Sequence, residues 1–135
     1  MNQSTIKSVM RLFALTKQFC SNENKDNEVK AIVENYVYEY TGVAEAEDYI
    51  TIFNYHNLQF NKREKSTKTQ SLYSVKSTII ITEVANDLSR INRIHLALVI
   101  LDILTVGGSL SDSSLDFFRT ICTIFKFSAE EQADF

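Results

Sequence analysis

Apolar residues recur along the chain at intervals of three and four, the period of a helix with one buried face. From Thr5 to Cys20 the stripe is Ile6, Val9, Met10, Leu12, Phe13, Leu15 and Phe19, with Ser4 placed to cap the first turn. Ser21 to Asn24 is polar and turn-rich. From Asp26 a second stripe runs through Val29, Ile32, Val33, Tyr36, Val37 and Tyr40 until Gly42 stops it. The segment Ala44 to Phe60 carries β-formers, Tyr49, Ile50, Ile52, Phe53 and Tyr55 among them, and could alternate as a strand. Ile50, Phe53, Asn57 and Phe60 nevertheless keep near-helical spacing, and Glu45, Glu47 and Asp48 suit a helix N-terminus. A lone strand would also have no partner, so the segment is expected to be a third helix.

Asn61 to Gln70 reads as a charged loop, followed by a helix from about Ser71 to Leu88 along Leu72, Val75, Ile79, Ile80, Val84 and Leu88. Ser89 is placed to cap a fifth helix, which continues through Ile91, Ile94, Leu98 and Leu101 to about Val106 and ends at Gly107 and Gly108. Apolar residues surround this helix, so it is expected at the centre of the bundle. Ser111 caps a sixth helix, Leu115 to Phe125, and Ser128-Ala129-Glu130-Glu131 is a capping box opening a seventh, which reads as cut short at Phe135. The absence of proline suits long helices. The expected fold is an all-α bundle of six to seven helices, two similar helix pairs around a central helix, in one domain over residues 1–135.

The two pairs come from an apparent repeat. A constant shift of 85 residues aligns Phe13 with Leu98, Leu15 with Ile100, Phe19 with Leu104, Ile32 with Phe117, Val33 with Phe118, Tyr36 with Ile121 and Tyr40 with Phe125. Each half reads as a long helix, a polar turn, a second amphipathic helix and an acidic segment, Ala44-Glu45-Ala46-Glu47 in one and Ala129-Glu130-Glu131 in the other.

Composition narrows the function classes. With 44% hydrophobic residues, 9 Phe and 6 Tyr, the chain has enough apolar surface to offset the ordering entropy, and disorder is excluded. Two histidines, two cysteines and three glycines leave little material for a triad, a closed zinc site or a phosphate cradle, so catalytic residues and cofactors are not expected. A formal net charge of −3 argues against nucleic acid as a partner, and the one basic cluster, Lys62, Arg63, Lys65 and Lys68, has no interleaved aromatic. Cys20 and Cys122 lie far apart in apolar runs and read as buried thiols of a reducing compartment. The longest apolar run, Leu96 to Leu104, is broken by Asp102 and too short to span a bilayer. A cytoplasmic chain without direct membrane insertion is expected. His56 and His95 lack a second ligand at metal spacing, and His95 reads as a hydrogen-bonded core or boundary residue.

The turn Gly107-Gly108-Ser109-Leu110-Ser111-Asp112-Ser113-Ser114 and the repeated helix pairs resemble the TerB-like family of tellurite-resistance proteins, whose pairs are joined by Asp-Gly-x-Ile-Ser-x-x-Glu. The segments Ser8 to Ala14, Ser71 to Lys76 and Leu98 to Leu104 are similar to the N-terminal module of large Bacteroidetes ATP-binding-cassette proteins. The resemblance implies a non-catalytic interaction or regulatory module at the inner face of a membrane, associated with such an ATPase. The chain carries no Walker motif of its own. The alternative is a divalent-cation-binding or stress-sensing domain of the TerB type. Against that alternative, Gly107 and Ser114 stand where the family turn has its Asp and Glu. Glu28 occupies the corresponding Glu position of the first half.

Two groups of candidate residues follow. Glu23, Asp26, Glu28 and Asp112 are weak candidates for Ca²⁺ or Mg²⁺, since hard cations want several carboxylates around one point. Tyr38, Tyr49 and Tyr55 cannot all lie on the core stripe, so they are expected to form an exposed aromatic face, flanked by Lys62, Arg63 and Lys65. The expected partner is a protein, either the remainder of a larger chain or a second copy in a homodimer.

Overall fold

A computed structural model describes residues 2–20, 25–63, 70–106, 108 and 110–135. Among them all regular structure is helical: α1 (Gln3–Lys17), α2 (Asp26–Tyr40), α3 (Val43–Arg63), α4 (Gln70–Asp87), α5 (Arg90–Leu104), α6 (Asp112–Ile124) and α7 (Ala129–Ala133). The residues of 44 to 60 are helical despite their β-formers, because Ala46, Tyr49, Phe53 and Phe60 fall on one face and bury it. Helix α3 also runs to Arg63 and α4 begins at Gln70, so the charged connection is shorter than the spacing suggested.

Three of the helix starts are capped by the serines expected from sequence. The hydroxyl of Ser89 accepts from the amide of Asn92, that of Ser111 from Ser114, and that of Ser128 from Glu131, whose carboxylate in turn accepts from the Ser128 amide at 3.0 Å. At α1 the cap is Asn2, not Ser4: its Oδ1 accepts from the Thr5 amide at 2.8 Å and Ser4 lies inside the first turn. Helix α6 ends in a Schellman turn, with the Phe127 amide on the Cys122 carbonyl and the Lys126 amide on the Thr123 carbonyl. Lys126 takes the left-handed conformation there, at φ 63°. Gly108, at φ 100°, supplies another left-handed position in the turn before α6.

The core is one continuous cluster, and its hub is α1. Val9, Met10, Leu12, Phe13, Ala14 and Leu15 are all buried, on more than one face, and α1 packs on α2, α3, α4 and α5. The expectation of a central α5 is therefore corrected. Helix α5 packs on α1, α2 and α6 through Leu96, Ala97, Ile100, Ile103 and Leu104, while Ile91 and Leu98 remain exposed. The two helix pairs are similar in length and burial: Leu15 and Ile100, Val33 and Phe118, and Tyr36 and Ile121 are all buried. Phe13 and Leu98 differ, one in the core and one outside. The pairs are tied together where the buried Ser114 hydroxyl donates to the carbonyl of Phe19, just beyond α1, and lies 2.8 Å from Ser111 Oγ. At the other end Arg90 pairs with Glu131 and holds α7 against the start of α5.

Candidate functional site

The three tyrosines expected on one outer face separate. Tyr55 is 59% exposed on α3 and Tyr38 45% exposed on α2, but Tyr49 is only 5% exposed. Tyr49 is thus corrected from a partner-binding residue to a core residue. It lies six residues before Tyr55, a rotation of about 120° around the helix at 3.6 residues per turn, which carries it from the outer face to the packed one. Burial, with Glu45 and Asp48 adding to it, also holds the Tyr49 phenol above its ordinary value. Beside Tyr55 on the outer side of α3 stands Leu58, 54% exposed. Lys62 and Arg63 belong to the last turn of α3, and Lys65 lies outside the described residues.

Two of the four acidic candidates are engaged with lysines. Asp26 pairs with Lys17 at 2.9 Å, joining the start of α2 to the end of α1, and Glu28 pairs with Lys25 at 3.1 Å. Both carboxylates also stand in the first turn of α2, where a negative charge favours the helix dipole. Asp112 does the same on α6, and Glu23 lies outside the described residues. Among the described residues no three His, Cys, Asp or Glu side chains come together as a metal-ligating group.

A polar relay absent from the expectations drawn on sequence crosses from α2 to α5. The Tyr40 phenol lies 2.7 Å from Nδ1 of His95, and the opposite ring nitrogen, Nε2, lies 3.5 Å from a Glu39 carboxylate oxygen. The Tyr40 phenol and the imidazole thus share one hydrogen bond at Nδ1, while Nε2 faces the Glu39 carboxylate. Tyr40 in turn is hydrogen-bonded to Tyr36, and the Tyr36 ring packs edge-on against Phe13. The order carboxylate, imidazole, hydroxyl is that of a nucleophilic relay. Burial and the nearby Glu39 charge raise the Tyr40 phenol, and the contact joins α2 to α5. The arrangement therefore acts as a clasp between α2 and α5. Its trace in the sequence is the i, i+4 pair Tyr36 and Tyr40 with Glu39 beside it, but no local rule brings His95 from 55 residues away.

The two cysteines, both expected as buried thiols, differ: Cys122 is buried and Cys20 half-buried. Burial pushes the Cys122 thiol up to about 11, away from the reactive thiolate, and neither cysteine is in a disulfide. Burial and then the Arg11 charge hold His56 below its ordinary value. Among the described residues no helix is long and apolar enough to cross a membrane.

Comparison with protein-family models, with curated proteins and with solved structures returns no match to this chain.

Proposed function

We propose that this chain is a non-catalytic protein-interaction module of the TerB-like kind. The observation that carries the reading is large apolar side chains on the outer faces of helices whose inner faces already fill the core: Tyr55 and Leu58 on α3, Val75 and Ile79 on α4, Ile91 and Leu98 on α5. Exposed tyrosines in such positions supply contact area at small entropic cost, and the aliphatic side chains beside them add apolar surface. In this reading the module works in the cytoplasm, beside or within a membrane-associated ATP-binding-cassette protein, as the resemblance implies. The cation-sensing alternative gains no support from Asp26 and Glu28, which are already paired with lysines.

Photo-cross-linking in cells that make the chain tests the reading. A photo-reactive phenylalanine analogue placed in turn at Tyr38, Tyr55 and Ile79 is expected to give a discrete protein adduct from at least one position. A folded chain that gives no adduct from any of them overturns the proposal.

A further inference from the structure

Helix α3 has one committed side. Ala46, Tyr49, Phe53 and Phe60 are buried, and the helix packs on α1 and α2. On its opposite side Asp48, Thr51, Tyr55 and Leu58 are exposed, and Lys62 continues their register in the last turn. These five residues succeed one another at intervals of three, four, three and four, the seam spacing of paired helices. The two charged ends of the seam are equidistant from Tyr55 and opposite in charge. Asp48 stands seven residues before Tyr55 and Lys62 seven after it, each about 10 Å away along the axis at 1.5 Å per residue. Glu45 and Glu47 extend the acidic end, and Arg63 extends the basic one.

We propose that this face of α3 pairs with the same face of a second copy of the chain, antiparallel, about a twofold axis at Tyr55. The proposal rests on the interaction reading above and names its partner. An antiparallel arrangement sets Asp48 opposite Lys62 of the second copy and Lys62 opposite its Asp48, with Thr51 one residue's rise from Leu58 and the two Tyr55 rings meeting at the axis. A parallel arrangement would set Asp48 against Asp48 and Lys62 against Lys62, and like charges across a seam repel. One surface that satisfies its own charges on rotation is the mark of an isologous contact. The outward residues of α4 and α5, Val75, Ile79, Ile91 and Leu98, are exposed as well but carry no such charge order to name an occupant.

The contact is small. A single seam between two helices falls below the roughly 1,200 Å² of stable complexes, so the dimer forms reversibly at about micromolar concentration. Tyr55 and Leu58 anchor it, and the charge pairs at either end set its orientation.

Sedimentation equilibrium of the full chain at low salt, from about 1 to 500 µM, tests the proposal. The wild type is expected to dimerise reversibly, and Tyr55→Ala to weaken dimerisation by about tenfold. Asp48→Lys and Lys62→Asp should each weaken it by about tenfold or more, because both ends of the seam then carry one sign. The double variant Asp48→Lys, Lys62→Asp exchanges the two ends and should return to near the wild-type affinity. Circular dichroism is the check that each variant is folded. A wild type that stays monomeric throughout, single reversals without effect, or a double variant that fails to recover each overturns the pairing. A monomeric chain that still gives an adduct to another protein at Tyr55 overturns the pairing and leaves the interaction reading standing. A chain giving no adduct at any outer position overturns both.

Discussion

The Tyr40 phenol and the His95 imidazole meet at 2.7 Å across the α2 and α5 interface, 55 residues apart in the chain. The bond lies at the edge of the core, where Tyr36 is buried beneath it and Glu39 stands toward solvent. Tyr40→Phe removes the phenol oxygen and leaves Nδ1 without its partner. The expected cost is about 1 kcal/mol, read as a lower urea midpoint at unchanged slope. A double-mutant cycle with His95→Ala should show coupling between the two positions, and additive effects would dissolve the clasp as a unit.

Alkaline pH should unfold the protein through its tyrosines. Burial, with the neighbouring Tyr40 and Glu39 adding to it, raises the Tyr36 phenol well above its ordinary value of 10.0, and burial raises Tyr40 and Tyr49 in the same direction. The folded chain then holds protons that the unfolded chain releases. The stability these groups contribute is whole below pH 10 and is lost as pH rises above it, at about 1.4 kcal/mol per pH unit for Tyr36 alone. Tyrosinate absorbance should appear together with loss of helix, and Tyr36→Phe should move that transition to higher pH. Tyrosinate signal from all six tyrosines in a chain that keeps its helix would contradict this account.

Mild acid acts through His56. Burial and the Arg11 charge lower its folded pKa below the ordinary 6.5, so the unfolded chain binds the proton first. Its contribution to stability is present above pH 6.5 and is lost as pH falls through the lower folded value. Chemical denaturation at a series of pH values should show stability dropping over this window. His56→Gln is expected to flatten the drop, and an unchanged profile would remove His56 as its source.

Ser114 ties the second helix pair to the first. Its hydroxyl is buried, donates to the Phe19 carbonyl and lies beside Ser111 Oγ. Ser114→Ala should cost about 1 to 2 kcal/mol, with the loss read as a lower thermal midpoint. A neutral substitution would mean that the link between the pairs rests on apolar packing alone.

Lys126 offers a stabilising change. It holds φ 63° at the position after α6 where glycine has no steric penalty. Lys126→Gly should stabilise the fold by about 1 kcal/mol, measured by urea denaturation. A destabilised variant would show that the lysine side chain contributes more than the strained backbone costs.

Sequence alone determined the helices and most of their ends. Ser89, Ser111 and Ser128 cap where their spacing to the next turn demands, and the stripes of α1, α2 and α6 name their buried faces, because backbone capping and amphipathic periodicity are interactions within a few residues. The rotation between Tyr49 and Tyr55 was also legible in their spacing, although crowding of aromatics suggested a common face. Tertiary structure alone decided which helix is the hub and which apolar residues stay outside. Helices α4 and α5 carry apolar residues on more than one side, so their patterns do not single out one buried face, and only the neighbours decide that Ile80 and Ile100 are buried while Ile79 and Leu98 are exposed. The partners of His95 and Ser114 belong to the same class. Each bond closes a loop of more than 50 residues, and no local preference of the chain specifies which distant side chain or carbonyl will arrive there.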